Sequence, residues 1–204
     1  MGKYKTIVLG AVLVATLLAG CGDQNAVLEQ HAEAEAASSP GTTEVPAFHF
    51  ESGTLELGDF DPQTLGDDLF DPCTEISEEE FAAAGITRNI GPARGTKAEN
   101  GSTGCSVESE LPGTSKVILA NASSRSWLER EGARSIQEIE NSEIPGAFVH
   151  FSEISGGRDC YAQVDTVRGG LTVAYSIRGS AHKQLDPCSK ALESLEKLYL
   201  SLSP

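Results

Sequence analysis

Ala147-Phe148-Val149-His150-Phe151, Cys160-Tyr161-Ala162-Gln163-Val164-Asp165-Thr166-Val167 and Leu171-Thr172-Val173-Ala174-Tyr175-Ser176-Ile177 are separated by Gly156-Gly157 and by Arg168-Gly169-Gly170. Short runs rich in β-branched and aromatic residues, joined by glycine turns, predict a three-stranded antiparallel meander. Two more strands are predicted upstream. Cys105 to Leu111 alternates, Pro112-Gly113 turns the chain, and Lys116 to Ala120 carries the apolar run Val117-Ile118-Leu119. Phe48, Phe50, Leu55 and Leu57 alternate around Ser52-Gly53, which predicts a hairpin near residue 47, where ordered structure is expected to begin.

Helical signals punctuate these strands. In Asp71-Pro72-Cys73 an aspartate suited to the N-cap precedes a proline suited to the first helical position. Ser77-Glu78-Glu79-Glu80 supplies a capping box ahead of Phe81-Ala82-Ala83-Ala84, and Gly85 is a stop. A helix is expected from Ser126, with Glu129 three residues on and Gly132 ending it, and another helical turn over Ser135 to Glu140. Asp186-Pro187-Cys188 repeats the first triplet, ahead of Ala191, Leu192, Leu195, Leu198 and Tyr199 at the spacing of an amphipathic helix. The order predicts an α+β domain, an antiparallel sheet of about five strands with helices packed on one face.

The N-terminus carries a different message. Lys3 and Lys5 precede an apolar run from Ile7 to Leu18, and Leu18-Ala19-Gly20-Cys21 has the layout of a bacterial lipobox. Residues 1–20 read as a lipoprotein signal peptide and Cys21 as the lipidated first residue of the mature chain. The 12-residue run would span roughly 18 Å as a helix, against a hydrocarbon core of about 30 Å, which disfavours a membrane span. A plain signal peptide would want a small residue where Leu18 stands. One acyl chain binds a membrane only marginally, so stable anchoring takes more than one, as a diacylglyceryl thioether with palmitate-class chains provides. Residues 21–46, poor in bulky apolar side chains, form a flexible linker of about 25–30 Å mean reach. Residues 47–204 form a single domain, expected on the outer face of the cell membrane.

The chain carries a net charge of −15, and loss of the two leader lysines would take it to −17. That excludes a nucleic-acid partner, whose phosphates demand a basic face, and a domain lying flat on an anionic bilayer. Besides Cys21 there are four cysteines, an even count that reads as two disulfides in an exported protein. Of the three pairings, Cys73–Cys105 with Cys160–Cys188 is favoured because each closes a local loop. No C-x2-C or H-x3-H spacing supports a zinc site, and the acidic loop Asp59 to Asp68 misses the EF-hand pattern, so no metal or other cofactor is expected.

There is no G-x-S-x-G elbow, no H-E-x-x-H, no P-loop and no dinucleotide fingerprint. His31 falls in the linker, His49 and His150 read as solvent-face residues of strands, and His182 sits near Ser180 in a polar loop. Trp127, the only tryptophan, reads as a packing residue before it reads as a ligand platform. A reactive thiol at a helix N-terminus is the alternative for Cys73 or Cys188, but a disulfide fits the even count better.

The lipobox, the spacer, Phe70-Asp71-Pro72-Cys73 and the closing Asp186-Pro187-Cys188 helix together resemble the actinobacterial lipoproteins of domain of unknown function family 3558. The resemblance covers about residues 48–204. It implies an envelope-anchored domain akin to the Mog1/PsbP-like α/β sandwiches, and it carries no functional residues. One departure is Val107, where members often have tryptophan two residues after the second cysteine. Two readings follow. The first is a noncatalytic binding or accessory domain of the cell envelope, recognising an envelope protein, a lipid or a wall polymer. The second is a wall-acting hydrolase or transferase, which requires two carboxylates, or a histidine and a carboxylate, converging in a cleft.

Overall fold

A computed structural model describes residues 45–88, 102–132, 135–151, 153–179 and 182–202. Cys21, the leader and the linker up to residue 44 lie outside the described residues. The hairpin predicted near residue 47 forms β1 (Ala47–Phe50) and β2 (Gly53–Glu56), paired antiparallel across Phe50 and Gly53. Helices α1 (Pro72–Glu75) and α2 (Glu78–Ala83) follow. Then come β3 (Ser102–Val107), β4 (Thr114–Asn121), α3 (Arg125–Glu131), β5 (Ser135–Glu138), β6 (Phe148–Phe151), β7 (Asp159–Thr166), β8 (Gly169–Ile177) and α4 (Pro187–Ser201). The larger sheet has six strands in the order β3-β4-β8-β7-β6-β5. Every neighbouring pair is antiparallel, and β6-β7-β8 is the expected meander.

Both triplets do what their chemistry predicts. The Asp71 and Asp186 side chains each accept the N–H of the cysteine two residues on, at 3.0 Å, with proline in the first turn. Ser77 and Glu80 close a reciprocal capping box on α2. On α4, Ala191, Leu195 and Leu198 are fully buried. They face the alternate residues Cys160, Ala162 and Val164 of β7 and Leu171, Val173 and Tyr175 of β8. Phe48, Phe50, Phe70 and Phe81 complete this core, with Phe50 stacked on Phe70 at 5.2 Å and Tyr199 edge-on to Phe48 at 5.1 Å. Among the described residues the small hairpin joins the larger sheet through a single bridge, Leu57 to Thr166.

Several expectations are corrected. The sheet has six strands because Ser135–Glu138 is strand β5 and not a helical turn. Ile136 and Ile139 are spaced as on a helix, but the ladder offered by the free edge of β6 outweighs that weak local preference. Helix α3 starts at Arg125 behind an N-cap at Ser124, two residues before the predicted Ser126. It does not share a face with the other helices. The Arg125 N–H donates to Asp165 at 2.8 Å, and Asp165 points away from the face that Val164 presents to α4. The disulfide framework is half formed. Cys160 and Cys188 are bonded with their Cα atoms 5.0 Å apart, joining β7 to the first turn of α4. Cys73 and Cys105 are buried free thiols, so the structure holds one disulfide where two were expected.

A short helix such as α1 cannot hold itself in place. Arg168, in the β7–β8 turn, forms two parallel hydrogen bonds to Glu75, at 2.6 and 2.9 Å. It also donates to the Asp68 carbonyl at 3.1 Å and lies 5.5 Å from the centre of the Phe70 ring. Burial alone would raise the Glu75 carboxyl. The Arg168 guanidinium and the Asp71 N–H outweigh it and hold the group below the ordinary glutamate range. A depressed folded-state pKa contributes stability above the unfolded value of about 4.3 and loses it as pH falls through the folded value. Glu75→Gln is therefore expected to cost about 1 kcal/mol at pH 7, after allowance for the half-exposed pair. Below about pH 4 the variant and the parent should converge in urea unfolding; a difference that stays constant down to pH 2.5 would remove the ion pair as its cause.

Candidate functional site

The site is built on the face of β7 that α4 does not cover. Along β7, Tyr161, Gln163 and Asp165 alternate with the core residues, and α3 closes over the last two of them. Ser124 caps α3 by accepting the Trp127 N–H at 3.3 Å, and Gly132 ends it in the left-handed conformation, φ 60°. Leu128 is the buried residue of this helix, and Trp127 is half-exposed on its outside.

Beneath α3 lies a polar network centred on Gln163, which is fully buried. Its amide nitrogen donates to the Ser123 carbonyl at 2.9 Å and to Asp165 Oδ1 at 2.8 Å. Its oxygen accepts from Asn121 Nδ2 at 3.2 Å and Thr172 Oγ1 at 3.1 Å, with His150 Nε2 at 3.3 Å. His150 is therefore not on a solvent face. It is buried, stacked on Tyr161 with ring centroids 5.1 Å apart. Gly170 makes room for the network: a Cβ there would sit 2.4 Å from Gln163 Nε2.

Beside this network is a cleft of about 420 Å³. Its apolar lining includes Pro46, Leu57, Pro145, Phe148 and Val164; its polar lining is Asp59, Arg125, Ser126, Glu129 and Asp165. It forms where β6 stops short of β7 and the residues after β2 lie along the remaining edge, the Gly58 N–H donating to the Asp165 carbonyl at 3.1 Å. The Arg125 guanidinium lies 5.4 Å from the centre of the Phe148 ring, bonds Glu129 at 3.1 Å and pairs with Glu138. Burial pushes the Asp165 carboxyl above the ordinary aspartate range and the Asp59 charge adds to the rise, against the Arg125 and Gln163 donors.

These groups are arranged for recognition more than for proton transfer. A general acid or base needs an oxygen free to reach substrate. Here Asp165 Oδ1 is bonded to Gln163 and Oδ2 to the Arg125 N–H, while Arg125 is held between two glutamates. A concave, mostly apolar surface with a few fixed polar groups is the usual form of a ligand site.

The structure brings together some of the residues singled out in the sequence and separates others. Cys160 meets Cys188, and Cys73 meets Cys105. His49, His150 and His182 lie on different elements, His182 donating to the Pro112 carbonyl at 2.8 Å in the usual carbonyl-acceptor sense. Cys21, His31 and Ser180 lie outside the described residues. No group of three metal-ligating side chains occurs among the described residues, and no described helix is long and apolar enough to cross a membrane. Arg125, Gln163 and Asp165 were missed. Their one sequence signal is a glutamine and an aspartate at alternate positions of an otherwise apolar strand, which reads equally well as a solvent face.

The description protein of unknown function (DUF3558) belongs to a family model that matches residues 16–199. No curated protein and no solved structure matches the chain.

The packing of Gly170 against Gln163 is testable. Gly170→Ala is expected to cost about 1–3 kcal/mol by displacing the buried amide. In a Gln163→Ala background the same change should cost clearly less, as read from a double-mutant cycle in urea. Equal costs in both backgrounds would put the clash elsewhere. Side-chain carboxyl NMR should find Asp165 titrating above the ordinary aspartate value of about 3.9, and lower in Asp59→Asn than in the parent.

Proposed function

We propose that this chain, which belongs to the DUF3558 family, is a lipid-anchored domain of the actinobacterial cell envelope that binds a partner without chemically altering it. In this reading Cys21 carries the acyl chains on the outer face of the cell membrane, and residues 22–46 are the tether. Residues 47–204 are a Mog1/PsbP-like sandwich that presents the cleft between α3 and the residues after β2. The observation that carries it is the cleft itself, whose accessible apolar lining is Pro46, Leu57 and Pro145 and on whose rim Arg125, Glu129 and Asp165 are already held by one another. Such a surface suits an envelope protein, a lipid or a wall polymer that offers an apolar part to that lining.

The competing reading, a wall-acting hydrolase or transferase, draws on Asp59, Glu129 and Asp165 lining one cleft with the Asp165 carboxyl raised. Against it stand the engaged oxygens of Asp165. Incubation of the purified chain with isolated wall polymer separates the two, because the binding reading expects no released fragments.

Two results are expected. Cys21→Ser should shift the protein from the membrane fraction to the soluble envelope fraction or leave it unprocessed, and unchanged membrane association would end the lipid-anchor reading. A photo-reactive amino acid at Ser126, in the cleft, should give discrete adducts in the native envelope. One placed at the exposed Lys183 should not. Identical labelling from both sites, or none from either, would remove the cleft as the binding surface.

A further inference from the structure

Cys73, in the first turn of α1, and Cys105, on the edge strand β3, lie side by side in the core. Both are buried thiols, and each is close enough to act on the other. They are held together from both directions along the chain. Thr103, two residues before Cys105, donates its hydroxyl to the Phe70 carbonyl at 2.9 Å. Arg88, bridged to Val107 two residues after Cys105, donates to the Cys73 carbonyl at 3.2 Å. The disulfide already present has the same construction: a core-facing strand cysteine, Cys160, meets a cysteine behind an Asp-Pro helix start, Cys188. We propose that Cys73 and Cys105 form a second disulfide site. It closes only while the chain is folding in the presence of a disulfide carrier, and the packing of α1 on β3 then seals it in whichever oxidation state it has.

The closing step is thiol–disulfide exchange with a low-molecular-weight or protein disulfide. One cysteine thiolate attacks a carrier sulfur, forming a mixed disulfide and expelling the other carrier sulfur as thiolate. The second cysteine then attacks the protein sulfur of that mixed disulfide and expels the carrier. The two protein thiols lose two electrons and two protons, and one carrier disulfide becomes two thiols. Attack needs a thiolate with access to the carrier. In the folded chain Cys73 and Cys105 are only 4% and 7% exposed. Burial pushes both thiols up, so neither condition is met after α1 has docked. The inference stands on this geometry and does not depend on what the cleft binds.

The test uses the full chain carrying Cys21→Ser, so that Cys21 does not compete. It is reduced and unfolded, then refolded either in a mixture of reduced and oxidised glutathione or in excess dithiothreitol. Thiols are blocked with N-ethylmaleimide in denaturant, and the linked peptides are mapped by mass spectrometry. Refolding in glutathione should yield both Cys73–Cys105 and Cys160–Cys188. It should also raise Tm by about 6–16 °C over Cys73→Ala/Cys105→Ala treated alike, the gain from closing a loop of about 30 residues. Chain refolded in dithiothreitol and then given oxidised glutathione should link Cys73 to Cys105 at least about tenfold more slowly when folded than in urea. The proposal is overturned if Cys73 and Cys105 stay open while Cys160–Cys188 closes, if they pair with Cys160 or Cys188, or if folded and unfolded chains oxidise equally fast. Should the double alanine variant not fold, the peptide map and the rate comparison decide the matter without it.

Discussion

Strand β7 is held from one side, and the rest of the molecule depends on that. Its core-facing residues Cys160, Ala162 and Val164 are clamped by the buried face of α4 and by the Cys160–Cys188 bond. Because side chains alternate along a strand, fixing that face also fixes the directions of Gln163 and Asp165 on the other. A register slip of one residue would bring Gln163 and Asp165 into the core and Ala162 and Val164 under α3. Positioning of the polar network thus follows from apolar packing on the opposite side of the same strand. The network in turn sets the place of α3, since the Arg125 N–H finds its acceptor on Asp165.

The distribution of charge follows a similar logic. The chain is strongly acidic at −15, yet several of its cations serve as internal pins. Arg168 ties α1 to the β7–β8 turn, Arg125 joins α3 to β5 through Glu138, and the buried Lys116 reaches Glu110 at 2.6 Å. Cations committed in this way leave the acidic excess to the surface. Under the proposed anchoring, an acidic domain near an anionic bilayer is repelled from it over about a Debye length, some 8 Å at physiological salt. The proposed tether, as a coil, would have a mean reach of about 25–30 Å and would place it beyond that range.

What could be read in the sequence was whatever is decided locally. Asp-Pro-Cys places an N-cap and a first-turn proline with no help from the rest of the chain, and glycine pairs place the turns of the meander. The amphipathic spacing of Ala191, Leu195 and Leu198 marks α4 and the side it buries. What could not be read depends on which element covers which face. Alternation on β7 distinguishes two faces but does not say that α3 returns over the polar one. His150 accordingly reads as a solvent-face residue and is buried, beside the buried Gln163. The segment Ser135–Glu138 looks helical alone and becomes a strand only because β6 has a free edge. Asp59 enters the cleft through the bridge between Leu57 and Thr166, a contact between residues more than a hundred positions apart.

The two Asp-Pro-Cys starts show why identical local signals carry different weight. Helix α4 runs for 15 residues and buries a continuous face against β7 and β8, so its position is fixed by apolar area as well as by Cys188. Helix α1 has four residues. One turn cannot repay its own nucleation cost, so every constraint on α1 comes from outside it. Among them are the Arg168–Glu75 pair, the Ser52 hydroxyl on the Glu75 carbonyl, the Thr103 hydroxyl on the Phe70 carbonyl, the Arg88 bond to the Cys73 carbonyl, and the Cys73–Cys105 contact. The last three connect α1 or its flanks to β3 or to Arg88 beside it. The edge strand and the short helix therefore stabilise each other, and a bond between their cysteines would act on the least self-supporting part of the fold.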